Sequence, residues 1–187
     1  MIVSRGRGIM QSGGGRGDGN PMTEENEHER CMRLAMREAE QALRKGEVPV
    51  GCVIVHKGMV IGRGHNQREL LQDPTAHAEM LAITAAAGHL GSWRLEDTRM
   101  YVTLEPCPMC SGAIILARIP EVYFGAADPK AGCCGTLMNL LEDRRFNHQP
   151  AVTGGLLAEE CGEMLSAFFR EIRRRARPAG KAPSEDE

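Results

Sequence analysis

A chain of 187 residues with 42% apolar content is sized for one domain with a sizeable core, and its net charge of −2 argues neither for nor against a nucleic-acid partner. No stretch approaches the ~18 apolar residues of a membrane span, and no apolar run of a secretory leader follows Arg5 and Arg7. A cytoplasmic setting is therefore expected, where the seven cysteines are metal ligands or core residues and not disulfides.

Residues 1–22, with Gly13, Gly14 and Gly15 in a row, read as a disordered Gly/Arg-rich arm. A solvated tail or a start-site artefact, with Met22 as the true start, is favoured over a nucleic-acid tether. Thr23 is an N-cap with Glu24 and Glu25 in the first turn. Cys31, Leu34, Ala35, Ala39 and Leu43 then recur at helical spacing until Gly46. Val50–His56 and Met59–Gly62 flank Lys57-Gly58 as a hairpin, and the run Val53-Ile54-Val55 suits a strand covered on both faces. A polar loop over 64–74 leads to a second helix, 77–87, apolar nearly all round and so expected to be central. Met100–Leu104 is a strand, Pro108–Arg118 a helix, and Val122–Gly125 another strand. Beyond it come a loop through Gly132-Cys133-Cys134-Gly135, a short helix over 137–141 and a weak strand at Val152. A long helix over 156–177 carries the stripe Leu157, Cys161, Met164, Leu165, Phe168 and Ile172. Residues 178–187 read as a disordered acidic tail, so the folded domain spans 23–177. The alternation of strands and helices is that of an α/β sandwich with parallel strands after the hairpin.

Two stretches carry chemistry. Cys107 and Cys110 are spaced C-x-x-C, and Pro108 suits the first turn of a helix, so both sulfurs lie on one face. With His77 they make three zinc ligands and an open fourth corner, the count of catalytic rather than structural zinc. Glu79 stands two residues from His77, off its helical face, and is read as a proton shuttle beside the metal's water. The Cys pair alone also admits a zinc knuckle or a redox dithiol. Both halves precede helices, and the cysteine half follows a strand, where open sheets place ligands.

The pairing of His77-Ala78-Glu79 with Pro106-Cys107-Pro108-Met109-Cys110 resembles the zinc-dependent nucleobase deaminases. Glu47-Val48-Pro49-Val50-Gly51, Asp73 through Glu79, Tyr101 through Cys107, Phe124-Gly125-Ala126, the 128–135 loop, Asn147-His148 and Phe168-Phe169-Arg170 are similar to the bacterial tRNA adenosine deaminases. The likeness covers roughly residues 24–177. It implies a cytidine deaminase-like fold, a three-layer α/β/α sandwich around a mixed sheet of about five strands. It also implies hydrolytic conversion of adenosine to inosine at the wobble position of tRNA anticodons by zinc-activated water, in a homodimer with one zinc per subunit. On this resemblance Asn66 bonds the flipped base, Val48 and Leu104 wall its pocket, and Asp128 lies near a neighbouring sugar. From the residues alone, Asn66 could instead hold a loop, though the functional role is favoured, Asp128 is equally at home as a turn residue, and Val48 and Leu104 are by type more often core than pocket.

Arg170, Arg173, Arg174, Arg175 and Arg177 face a single glutamate in that segment, an excess of four positive charges on an otherwise acidic chain. This clustering favours contact with RNA phosphates, such as those of a tRNA anticodon stem-loop, over cations merely matching a helix C-terminus. A guanine or other free-base deaminase is the alternative, and such an enzyme has no need of the arginines. Cys133 and Cys134 are adjacent and make a poor second metal site, Cys31, Cys52 and Cys161 read as core, and His148 reads as a structural hydrogen bond. Glu105 either orients the site or packs beside it.

Overall fold

The computed structural model describes residues 24–176, with side chains from residue 27 onward. The arm at 1–22, the cap at Thr23, the tail at 178–187 and Arg177 lie outside the described residues. The elements are α1 (Glu24–Arg44), β1 (Gly51–His56), β2 (Met59–His65), α2 (Arg68–Leu71), α3 (Ala78–Leu90), β3 (Thr98–Leu104), α4 (Pro108–Ala117), β4 (Glu121–Ala126), β5 (Ala151–Gly154) and α5 (Ala158–Ala176). One five-stranded sheet runs in the order β2-β1-β3-β4-β5. β1 is antiparallel to β2 and β3, while β3, β4 and β5 run parallel. The mixed sheet of the expected sandwich is thus present. Among the described residues no helix is long and apolar enough to cross a membrane.

The pleat of the strands sends alternate side chains into two cores. Cys52, Ile54, Met100, Val102 and Val122 meet Ala82 and Ala86 of α3 and Ile114 and Ile115 of α4. Val53, Val55 and Tyr101 meet Cys31, Met32 and Ala35 of α1 and Cys161 of α5. Two helices on each face of one sheet make the three layers. β1 is covered on both sides, which accounts for its unbroken apolar run. Lys57 and Gly58 close the hairpin with φ of 48° and 78°, the left-handed pair that a tight two-residue turn requires.

Several expectations are corrected. The buried stripe of α1 is Cys31, Met32, Ala35, Ala39 and Ala42, whereas Leu43 is exposed. The loop over 64–74 contains the last residues of β2 and the short α2. α3 is not fully enclosed: Ala78, Glu79, Ala82 and Ala86 are buried, Ile83, Ala87 and Leu90 pack against the core while partly exposed, and Ala85 is exposed. No helix forms over 137–141. Its backbone bonds instead return to the preceding loop, Leu137 N–H to Gly132 O at 3.0 Å and Leu140 N–H to Cys133 O at 2.9 Å. Of the stripe on α5, Cys161 is buried and Ile172 exposed.

The approach of β2 to α3 matters for the site. A Cβ on Gly64 would overlap the Ala78 carbonyl oxygen and sit 2.7 Å from Ala82 N. Glycine there lets the start of α3 lie against the sheet.

Candidate active site

His77 is the N-cap of α3 and Cys107 the N-cap of α4, each with extended backbone. Pro108 opens α4 at its first position, where its missing N–H costs nothing. Cys110 follows one turn later, so its sulfur lies beside that of Cys107. The Nδ1 atom of His77 is 3.7 Å from Cys107 Sγ and 3.6 Å from Cys110 Sγ. All three donor atoms lie within 4.8 Å of one another. A tetrahedral zinc with Zn–S of about 2.3 Å and Zn–N of about 2.05 Å separates sulfur from nitrogen by about 3.6 Å. Both sulfur–nitrogen distances therefore match a tetrahedral zinc site. No other group of metal-ligating residues of this kind occurs among the described residues, Cys133 and Cys134 included.

The charges suit ligation. A hydrogen bond from Cys110 draws the Cys107 thiol down to about 4, and the same shared proton, with burial, pushes Cys110 far up. The hydrogen bond to Cys107 raises His77. The lowered Cys107 pKa favours the thiolate that a metal needs, and ligation by Cys110 requires loss of its proton. Glu79, in the first turn of α3, is buried, and that burial raises its carboxyl above the ordinary range. It lies outside the ligand trio, as its offset from His77 predicts.

His77, Cys107 and Glu79 line a cavity of about 730 Å³ at the C-terminal ends of β3 and β4, whereas Cys110 is fully buried. Val48, Asn66 and Leu104, expected at the base, and Asp128, expected near a neighbouring sugar, line the cavity too. Asn66 is buried, and its Nδ2 donates to Glu47 Oε2 at 3.1 Å. Asp128 also has the turn role. Its Oδ1 accepts Lys130 N–H at 2.9 Å and Ala131 N–H at 3.2 Å.

Glu105 lines the cavity as well, but both its oxygens are engaged. Oε1 accepts Cys134 N–H at 2.9 Å and Thr136 N–H at 3.1 Å, and Oε2 accepts Asp128 N–H at 3.0 Å and the Thr136 hydroxyl. Burial alone would raise its carboxyl, yet these bonds outweigh burial and hold it below the ordinary range. Glu105 is the knot of the 128–136 loop and has no lone pair poised to carry a proton. Gly132 packs so close that a Cβ would overlap the Glu105 carboxylate. His148 Nε2 lies 2.7 Å from Ile119 O, the structural bond expected.

The arginine cluster divides. Arg170 and Arg173 line the cavity, with Phe169 beside them. Arg174 and Arg175 turn to Glu171, at 2.8 Å and 2.7 Å. Arg68 and Lys130 also line the cavity. Neither stands in a charge cluster in the sequence, so linear reading passes over them. Four cations around the cavity and one exposed aromatic ring suit a phosphate backbone and an unstacked base.

Residues 25–126 match the family model described as the cytidine and deoxycytidylate deaminase zinc-binding region. The chain is 58% identical to the tRNA-specific adenosine deaminase of Bacillus subtilis (strain 168) over 82% of this chain and 96% of that one. It is 52% identical to the tRNA-specific adenosine deaminase of Streptococcus pyogenes serotype M18 over 77% of this chain and 91% of that one. Its fold is similar to a structure solved in a study of A-to-I editing by tRNA deaminases at the wobble position of transfer RNA, with TM-score 0.70 and 43% identity over 73% of this chain and 99% of that one. With a zinc-fitting His-Cys-Cys trio at the sheet's edge and these likenesses spanning nearly the whole described region, the chain belongs to the tRNA-specific adenosine deaminases of the cytidine and deoxycytidylate deaminase family.

Proposed function

We propose that the protein hydrolyses adenosine to inosine at the wobble position of a tRNA anticodon, releasing ammonia. The observation that carries this reading is one cavity lined by His77 and Cys107 of the metal-fitting trio, by Glu79, and by Arg68, Lys130, Arg170 and Arg173. A free nucleobase has no phosphates to meet that rim, which weighs against a guanine deaminase.

Zinc, when bound by the trio, supplies a Lewis acid that makes water a nucleophile near neutral pH. The other steps belong to the protein. The target nucleotide leaves its stack and enters the cavity between Val48 and Leu104, with Asn66 bonding the base edge. Phe169 offers a ring for stacking, and the arginines hold the backbone. Glu79 takes a proton from the attacking water and delivers it to the ring nitrogen N1. It then moves the remaining proton of the hydroxyl added at C6 to the amino group, so that the C6 carbonyl forms as the C6–N bond breaks and ammonia departs. Such a positioned carrier contributes about 10²–10⁴-fold.

A homodimer fits the α3/α4 layer, where Leu116 of α4 is 71% exposed and Met80 and Leu81 of α3 are half-buried. A cytoplasmic location, with one zinc per subunit, accords with a tRNA substrate. The test is a nucleoside digest of tRNA after incubation, scored for inosine. Glu79→Gln should keep zinc and RNA binding while losing at least ~10²-fold in turnover. Loss of zinc in that variant would make Glu79 a ligand and end this mechanism.

A further inference from the structure

Asn66 is an amide, and an amide can meet a base with either its acceptor or its donor. What decides its orientation is Glu47, which lies between α1 and β1 and is 1% exposed. The two carboxylate oxygens have separate duties. Oε1 accepts the Leu70 backbone N–H at 2.7 Å, and Oε2 accepts Asn66 Nδ2 at 3.1 Å. A carboxylate only accepts, so the nitrogen of Asn66 must face Glu47 and the oxygen must face away. Oδ1 of Asn66 has no protein partner among the described residues, and no unpartnered side-chain polar atom among them is fully buried. Oδ1 therefore opens into the cavity that Asn66 lines.

We propose that Glu47 is a positioning residue for the base: by accepting from Asn66 Nδ2 it sets the amide so that the Oδ1 acceptor is aimed at the substrate. The proposal rests on Asn66 meeting the base, as read above. Glu47 touches no reacting atom and acts through Asn66.

Substitution makes the logic visible. In Glu47→Gln the one carbonyl oxygen is claimed by Leu70 N–H, a fixed backbone donor. The new amide nitrogen then faces the nitrogen of Asn66, donor against donor. Asn66 relieves this by turning over, and its nitrogen enters the cavity where its oxygen had been. The pocket exchanges an acceptor for a donor. Asn66→Asp in that background reverses the change, because one carboxylate oxygen accepts from Gln and the other faces the base. In the wild-type background the same Asn66→Asp sets two carboxylates against each other.

The experiment measures inosine formation on an anticodon stem-loop by wild type, Glu47→Gln, Asn66→Asp and the double variant, with zinc content and Tm for each. The expected result is a fall of about 10–10²-fold in kcat/KM for Glu47→Gln, the scale of one unmade buried hydrogen bond. Asn66→Asp alone falls at least as far, and the double variant returns to within about 3-fold of wild type. A merely structural Glu47 would lower Tm without such rescue. Unchanged kcat/KM in Glu47→Gln, or a double variant as poor as the worse single one at wild-type Tm and zinc, overturns the proposal. Should Glu47→Gln not fold, Asn66→Asp decides by itself. Its activity relative to wild type should rise as pH falls, as the facing carboxylates come to share one proton and the pairing returns; a pH-independent loss overturns the proposal. If wild type forms no inosine, the functional reading fails separately, and the same four proteins are compared on free guanine with the same expected pattern.

Discussion

Replacing Glu105 tests whether this buried carboxylate anchors a loop or moves protons. Glu105 is 2% exposed and receives three backbone N–H groups and one hydroxyl. In Glu105→Gln the amide oxygen can stay with Cys134 N–H and Thr136 N–H. The amide nitrogen then faces Asp128 N–H, and only the Thr136 hydroxyl can turn round to accept. One backbone donor is stranded, at a cost of about 1–3 kcal/mol. For a domain of this size that lowers Tm by about 2–12 °C. Glu105→Ala strands all three N–H groups, and partial access of water to Asp128 and Thr136 limits the loss to about 3–5 kcal/mol. pH supplies a second signature. The folded carboxyl lies below its ordinary value, so its contribution is present above the unfolded pKa of about 4.3 and is lost as pH falls through the folded value. Wild type should lose stability over that acid range more steeply than Glu105→Gln. The assays are urea unfolding at several pH values, zinc content, and inosine formation. Turnover by folded Glu105→Gln should stay within about 10-fold of wild type, against ~10² or more for Glu79→Gln. Unchanged stability with turnover abolished would refute the anchor and make Glu105 the proton carrier.

Other expectations concern metal, RNA and packing. Cys107→Ala should lose zinc and stability together, since metal binding contributes folding free energy; full zinc content by elemental analysis would reject the ligand set. Changing Arg170 and Arg173 to Ala should weaken tRNA binding and flatten its log–log salt dependence by roughly 0.7–0.9 per lost phosphate contact, whereas Arg174 and Arg175, paired with Glu171, should matter less. Equal salt slopes for the two double variants would contradict that division. Gly64→Ala should cost about 1–3 kcal/mol by forcing β2 from α3, and an unchanged Tm would show that the two are not so close.

The metal site was legible because its chemistry is local. Cys107 and Cys110 stand on one helical turn, and the zinc-fitting distances follow once His77 caps the neighbouring helix. β1 was legible because its apolar run reflects cover on both faces. The arginine cluster was legible as charge but not as geometry. On a helix Arg170 and Arg173 are three apart and share a face, while Arg174 and Arg175 fall three and four residues from Glu171. That division was readable from spacing, and composition alone obscured it. The 128–141 segment was not readable in this way. Its turns are ordered by Glu105, more than twenty residues earlier, and no local pattern announces a carboxylate that binds backbone at such a separation. Arg68 and Lys130 escape for the same reason, since they meet only through the fold.

The cavity thus places two buried glutamates in opposite conditions. Around Glu105, four donors converge, and the carboxylate form is favoured in spite of burial. Around Glu79, burial dominates, and the protonated form is favoured relative to an exposed carboxylate. Environments that push two like groups apart in this way assign them different work. A group held firmly as an anion by backbone donors is a poor proton carrier and a good anchor. A group whose charge is less comfortable, at the start of a helix beside the metal ligands, can exchange protons with water and base. Glu105 orders the loop that carries Asp128 and Lys130 to the cavity, which leaves Glu79 as the carrier in the mechanism proposed above. The Glu-Pro-Cys sequence and the His-Ala-Glu sequence each supply one acid, and only the fold distinguishes their roles.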